Sequence, residues 1–179
     1  MADRNTPITT IEARLRRVED ALAIAALVHA YSFAMDNHDL GWALDLFTAD
    51  GRFRSADGAT DAHGHDALAA EYRGRFARLS FNFHTAQDRT MRFDGPDAAS
   101  GMVSAHAEIV HRGETRIAAM RYHDQYQRCA DGRWRFADRC LHFFYYVPVS
   151  EYAAALTRRD RVRAYGPARD ADLPEGAWD

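Results

Sequence analysis

Four strand-length segments, residues 81–93, 98–111, 115–128 and 133–147, follow one another almost without interruption. Only Asp94-Gly95-Pro96-Asp97, Arg112-Gly113-Glu114 and Ala130-Asp131-Gly132 separate them, and each is good turn chemistry. Connections this short join antiparallel neighbours, because a parallel crossover needs about a dozen residues or more. An antiparallel meander is therefore expected, and the rest of the chain must cover one of its faces.

The N-terminal half supplies that cover. Ile11, Leu15, Val18 and Leu22 recur at steps of four, three and four, one stripe of a helix. Thr9 with Glu12 makes a capping box at its start, and residues 21–34 continue it with strong helix formers. Asn37-His38 ends the helix, and Asp39 can cap a second one over 40–47. Arg52-Phe53-Arg54 reads as a short strand, 55–63 as a loop, and 66–79 as a third helix. A short last helix over 150–159 can be capped by Ser150. Helices first and a meander afterwards define an α+β domain with helices on one face of the sheet. Residues 1–9 read as a flexible leader, 10–160 as a single domain and 161–179 as a polar, loosely packed tail. One covered face leaves the other in need of cover, so a homo-oligomer, dimer or trimer, is expected.

The chain has 47% hydrophobic and 27% charged residues and a net charge of −3, ordinary for a globular protein. Arginine is scattered, without a nucleic-acid footprint. No apolar run approaches membrane-spanning length, so no membrane association is expected. Cys129 and Cys140 lack motif spacing and read as reduced thiols, which points to the cytoplasm. Nine histidines raise a metal site, through His63-Gly64-His65 or His106, His123 and His142 on successive strands. No HExxH or Cys/His spacing accompanies them, and no phosphate loop or dinucleotide fingerprint occurs, so neither metal nor cofactor is expected.

Two residues hold the most chemistry. Asp36 lies at the end of the first helix in Tyr31-Ser32-Phe33-Ala34-Met35-Asp36, and His84 lies in Phe81-Asn82-Phe83-His84. Taken alone, His84 is a polar strand residue and Asp36 a solvated helix-end carboxylate. The apolar neighbours Leu79, Phe81 and Phe83 favour a buried strand, where a histidine needs a partner. Helical spacing puts Phe33 beside Asp36 and turns Tyr31 about 140° away.

This order of elements, with Tyr31, Asp36, His84 and Asp131-Gly132-Arg133-Trp134-Arg135-Phe136 in place, resembles the nuclear transport factor 2 superfamily. Within it the SnoaL-like and scytalone dehydratase-like enzymes are most similar, over roughly residues 10–150. The resemblance implies a strongly curved sheet closed into a cone, or α+β barrel, around an apolar cavity. Bile-acid 7α-dehydratase, scytalone dehydratase and hexachlorocyclohexane dehydrochlorinase place an Asp and a His where Asp36 and His84 fall. The implied site has His84 as base, Asp36 as its orienter and Tyr31 as proton donor. Alignment with the family's pocket positions adds Ser55, Ala105, Ala107, Ile109, Met120, Tyr122 and Phe143 to Phe33 as substrate-binding candidates. Four of these depart from the pattern. Ser55 stands where both dehydratases have tyrosine, Ala107 where the bile-acid enzyme has an acid, Ile109 where scytalone dehydratase has a histidine, and Phe143 where an arginine falls. The implied activity is a cofactor-independent, dehydratase-type elimination on a small cyclic steroid, polyketide or aromatic compound. The same dyad suits isomerisation, cyclisation or carbon–carbon cleavage, and the same cavity suits a non-catalytic ligand-binding module or an oxygenase accessory subunit.

Overall fold

A computed structural model describes residues 10–164 and 166–174. Helix α1 (Ile11–Asp36) leads through α2 (Leu40–Asp45) into strands β1 (Phe47–Ser55) and β2 (Asp61–His63), then α3 (His65–Arg78). The meander follows as β3 (Leu79–Phe93), β4 (Ala98–His111), β5 (Glu114–Arg128) and β6 (Trp134–Pro148). A 3-10 turn (Val149–Glu151) and the single turn α4 (Tyr152–Ala155) come next. That turn is much shorter than the expected last helix, and Ser150 forms no side-chain cap.

The six strands run in the order β2-β1-β6-β5-β4-β3. The meander is antiparallel as expected, but the sheet is mixed, because β1 lies parallel to β6. Residues 61–63, expected in a loop, close the edge as β2 against β1. Helices α1 and α3 cover the inner face. Alanines at 105, 107 and 118 keep that face shallow, so the sheet can bend around α1 without filling the space between them. The bend is helped by register shifts between Ala86 and Arg89, Ala119 and Met120, and Gln125 and Tyr126.

Helix α1 has two apolar sides. The buried one carries Ile24, Leu27, Val28, Tyr31, Ala34 and Met35. The stripe legible first in the sequence lies on the opposite side: Ile11, Leu15, Val18 and Leu22 are 56–79% exposed. Apolar residues on both sides also give α1 the length and mean hydropathy, 1.3, of a membrane span. No unbroken apolar run marks it, because charged residues interrupt the first half of the helix. In the structure 44% of that window is buried inside the protein. The N-cap is Thr10, whose hydroxyl accepts from the Ala13 amide at 3.1 Å; the expected cap, Thr9, lies outside the described residues, as does the leader.

The tail is not loose as far as it is described. Val162 is fully buried and bridges Tyr146 and Arg169. The Asp172 carboxylate accepts the Phe143 amide at 2.8 Å, and Arg161 donates to the carbonyls of Phe144 and Leu173. These contacts lay residues 161–164 and 166–173 across the end of β6 and bring Ala164 to the cavity wall.

One position tests the close packing of β4 on β3. A Cβ at Gly101 would lie 2.2 Å from the Thr90 carbonyl oxygen, which is backbone and cannot turn aside. Gly101→Ala should destabilise the protein by about 3 kcal/mol, measurable by denaturant unfolding.

Candidate active site

Asp36 and His84 are brought together by the end of α1 and the first half of β3. Two contacts fix the α1 terminus. The Asp39 amide donates to the Ala34 carbonyl at 2.9 Å and the His38 amide to the Met35 carbonyl at 3.2 Å, a Schellman arrangement. It requires a left-handed residue at 38, and His38 adopts φ 52° there. The final helical residue, Asp36, thereby faces the edge strand β3. Its carboxylate accepts the His84 backbone N–H at 3.0 and 3.1 Å and stands 2.6 Å from His84 Nδ1. Because an ionised carboxylate can only accept, the short contact puts the ring proton on Nδ1 and leaves Nε2 as the basic nitrogen. Both side chains are less than a fifth exposed.

His84 forms part of the wall of a cavity of about 70 Å³. Tyr31 and Met35 of α1, Asn82 of β3, Ile109 of β4, Met120 and Tyr122 of β5, and Leu141 and Phe143 of β6 also line it. Its mouth carries Arg75, Phe76, Arg78 and Leu79 from the end of α3, with His111 across from Leu79. Burial, followed by the charge of Arg116, lowers the His111 pKa from its ordinary value.

Beneath the cavity Arg139 is buried, its guanidinium 3.9 Å from the Tyr122 ring, 4.2 Å from Tyr31 and 4.3 Å from Phe136. Its counter-charge is buried Asp124, 3.4 Å away, whose other oxygen accepts the Tyr126 hydroxyl at 2.9 Å. Burial pushes the Asp124 carboxyl up to about 6 even beside this cation, and also raises the Tyr122 phenol. The Tyr72 hydroxyl lies 3.5 Å from that of Tyr31.

Among the expected substrate-binding residues, Ile109, Met120, Tyr122 and Phe143 line the cavity, as does Tyr31. Four do not. Phe33 is 60% exposed on the outer side of α1. Ser55 is buried, but its hydroxyl donates to Asp57 at 2.5 Å and accepts the Thr60 amide at 2.9 Å, outside the cavity. Ala105 and Ala107 face inward but are covered by the core. Tyr31 and Asp36 diverge as helical rotation requires, but the rotation does not turn Tyr31 out of the cavity. Tyr31 and Met35 are the α1 residues that face the cavity, and Asp36 sits at the helix edge, reaching the site through His84. Asn82, Arg78, His111 and Ala164 were missed. Alternation from His84 could have found Asn82, whereas no local pattern marks Ala164.

The outer face of the sheet holds His106, His123 and His142, the last two stacked at 4.2 Å. Among the described residues no group of three or more His, Cys, Asp or Glu side chains is placed to hold a metal ion. Cys129 and Cys140 are free thiols, and burial raises that of Cys140.

A helix-covered, strongly curved mixed sheet around a cavity defines the nuclear transport factor 2-like cone class. The chain belongs to the SnoaL-like domain family, whose profile matches residues 16–140. Solved structures agree on the fold. A candidate scytalone dehydratase from Novosphingobium aromaticivorans superposes with a TM-score of 0.70 at 21% identity, covering 85% of this chain and 95% of that one. A candidate aromatic ring hydroxylase from the same organism gives 0.67 at 26% identity, covering 76% and 97%. Hexachlorocyclohexane dehydrochlorinase of Novosphingobium barchaimii gives 0.71 at 18% identity, covering 76% and 94%. No curated protein sequence matches the chain.

Proposed function

We propose that the protein is a cofactor-independent lyase of the dehydratase type, with His84 as general base, Asp36 as its orienting partner and Tyr31 as proton donor. The observation that carries this reading is the 2.6 Å contact of Asp36 with His84 Nδ1 at the wall of an apolar cavity. A fixed Nδ1 tautomer gives Nε2 a lone pair for a proton beside a carbonyl. The electron pair of the broken C–H bond forms the new double bond as the β-hydroxyl leaves. Proton transfer from Tyr31 turns that departing group into water. A placed base contributes about 10²–10⁴ in rate.

The cavity also bears on size. A water needs roughly 10–15 Å³ on this scale, so about 70 Å³ accommodates one small ring at most. For a steroid or polyketide, the reacting ring would enter while the remainder lies against the mouth of Phe76, Arg78 and Leu79. As part of the same proposal the protein is a homo-oligomer, whose contacts would cover the open sheet face or the exposed α1 stripe.

The test is a mass-spectrometric screen of cyclic β-hydroxy ketones for loss of water. Turnover by the native protein and its collapse in His84→Ala are expected. Binding of these compounds without any elimination, or full turnover in His84→Ala, would overturn the lyase reading.

A further inference from the structure

Asn82 lies two residues before His84 on the same face of β3, is 7% exposed, and lines the cavity. Its amide orientation follows from its neighbours. One amide atom lies 3.3 Å from the Met35 carbonyl oxygen, which can only accept, so that atom is the Nδ2 donor. The same nitrogen lies 3.0 Å from His38 Nε2, which must then present its lone pair. Both donor contacts of Asn82 are thus spent on the end of α1. Its other atom, Oδ1, is buried without a hydrogen-bond partner in the structure.

His38 strengthens this arrangement. A left-handed position after a helix is usually filled by glycine, which holds it without strain. Here a histidine holds it, stacked on Phe76 at 4.7 Å and accepting from Asn82. A helix end alone does not need that ring. Its effect is to lock the Asn82 amide with Nδ2 on the end of α1 and Oδ1 left over, in a residue that lines the cavity.

Resting on the reading of this cavity as a ligand site, we propose that Asn82 Oδ1 is a specificity-determining acceptor for a hydroxyl or N–H on the ligand's ring. The ligand class narrows accordingly, from any small apolar ring to rings bearing at least one donor. A group built to accept a hydrogen bond rejects an analogue lacking the donor, because the buried oxygen then stays unpaired.

The probes are 4-hydroxycyclohexanone and 4-methoxycyclohexanone, whose oxygen substituent is not β to the carbonyl and cannot leave by the proposed elimination. Dissociation constants by ligand-observed NMR should favour the alcohol by about tenfold or more in the native protein. In Asn82→Leu the preference should fall to near unity. In His38→Gly, where glycine relieves the left-handed strain, it should shrink while thermal stability holds or rises. A purely structural Asn82 would weaken both probes alike and keep their ratio. An unchanged ratio in Asn82→Leu, no native preference, or no binding of the alcohol would each overturn the proposal. Failure of the lyase reading registers separately, as absent turnover of β-hydroxy ketones with the probe preference intact.

Discussion

His84→Ala is expected to lower kcat for dehydration of a cyclic β-hydroxy ketone by about 10²–10⁴-fold with the fold intact. The side chain is partly exposed and lines a cavity, so its loss leaves no sealed void. Asp36→Asn should lose about 10³-fold for a different reason. The aspartate accepts the His84 backbone N–H and faces Nδ1 at once. An amide has only one acceptor oxygen. If that oxygen keeps the backbone N–H, its NH2 group meets Nδ1 and forces the proton onto Nε2, the nitrogen that must be bare. Asp36 is absent from the cavity lining, so the loss should appear in kcat with KM little changed. A His84→Ala enzyme that keeps its rate, or an Asp36→Asn enzyme altered only in KM, would remove the dyad from the mechanism.

Much of this was legible because it follows from local rules. Turn chemistry at Gly95, Gly113 and Gly132 set the meander and its strand limits to within two residues. The inner-face places of Ile109, Met120 and Tyr122 came instead from the family resemblance, with alternation sending their neighbours His106, Glu108, Arg121 and His123 to the opposite face. What could not be read depends on pairing across the sequence. The parallel seat of β1 beside β6 needs a partner 86 to 89 residues away, as in Arg52 with Asp138 or Phe47 with Phe136. The apolar stripe of α1 was visible, but nothing local tells which of two apolar sides the sheet will take. The bulge between the Gln125–Asp138 and Tyr126–Phe136 pairs reverses alternation along β6. From Trp134 and Phe136, simple alternation predicts Asp138 inside and Arg139 outside. The bulge points Arg139 inward and leaves Asp138 to pair with Arg54 on the outer face.

That reversed arginine sets the second large effect. Arg139→Met should destabilise the protein by about 3–5 kcal/mol, because it leaves Asp124 buried without its counter-charge. The cost should depend on pH, with a definite sign. Asp124 titrates at about 6 when folded against an ordinary 3.8, burial outweighing the guanidinium; removing the guanidinium raises the folded value further. A carboxyl with a raised folded-state pKa holds a proton that the unfolded chain has released, so its penalty is full above that value and fades as pH falls toward 4. Urea unfolding at pH 7.5 and 4.5 should therefore show the larger deficit at pH 7.5. The same comparison with Asp124→Leu added to Arg139→Met should lose the pH dependence and recover part of the stability, since neither charge is left stranded. A deficit independent of pH would instead assign the role of Arg139 to its packing against Tyr31, Tyr122 and Phe136. In that case the aromatic floor of the cavity, rather than the ion pair, would be what the buried guanidinium maintains.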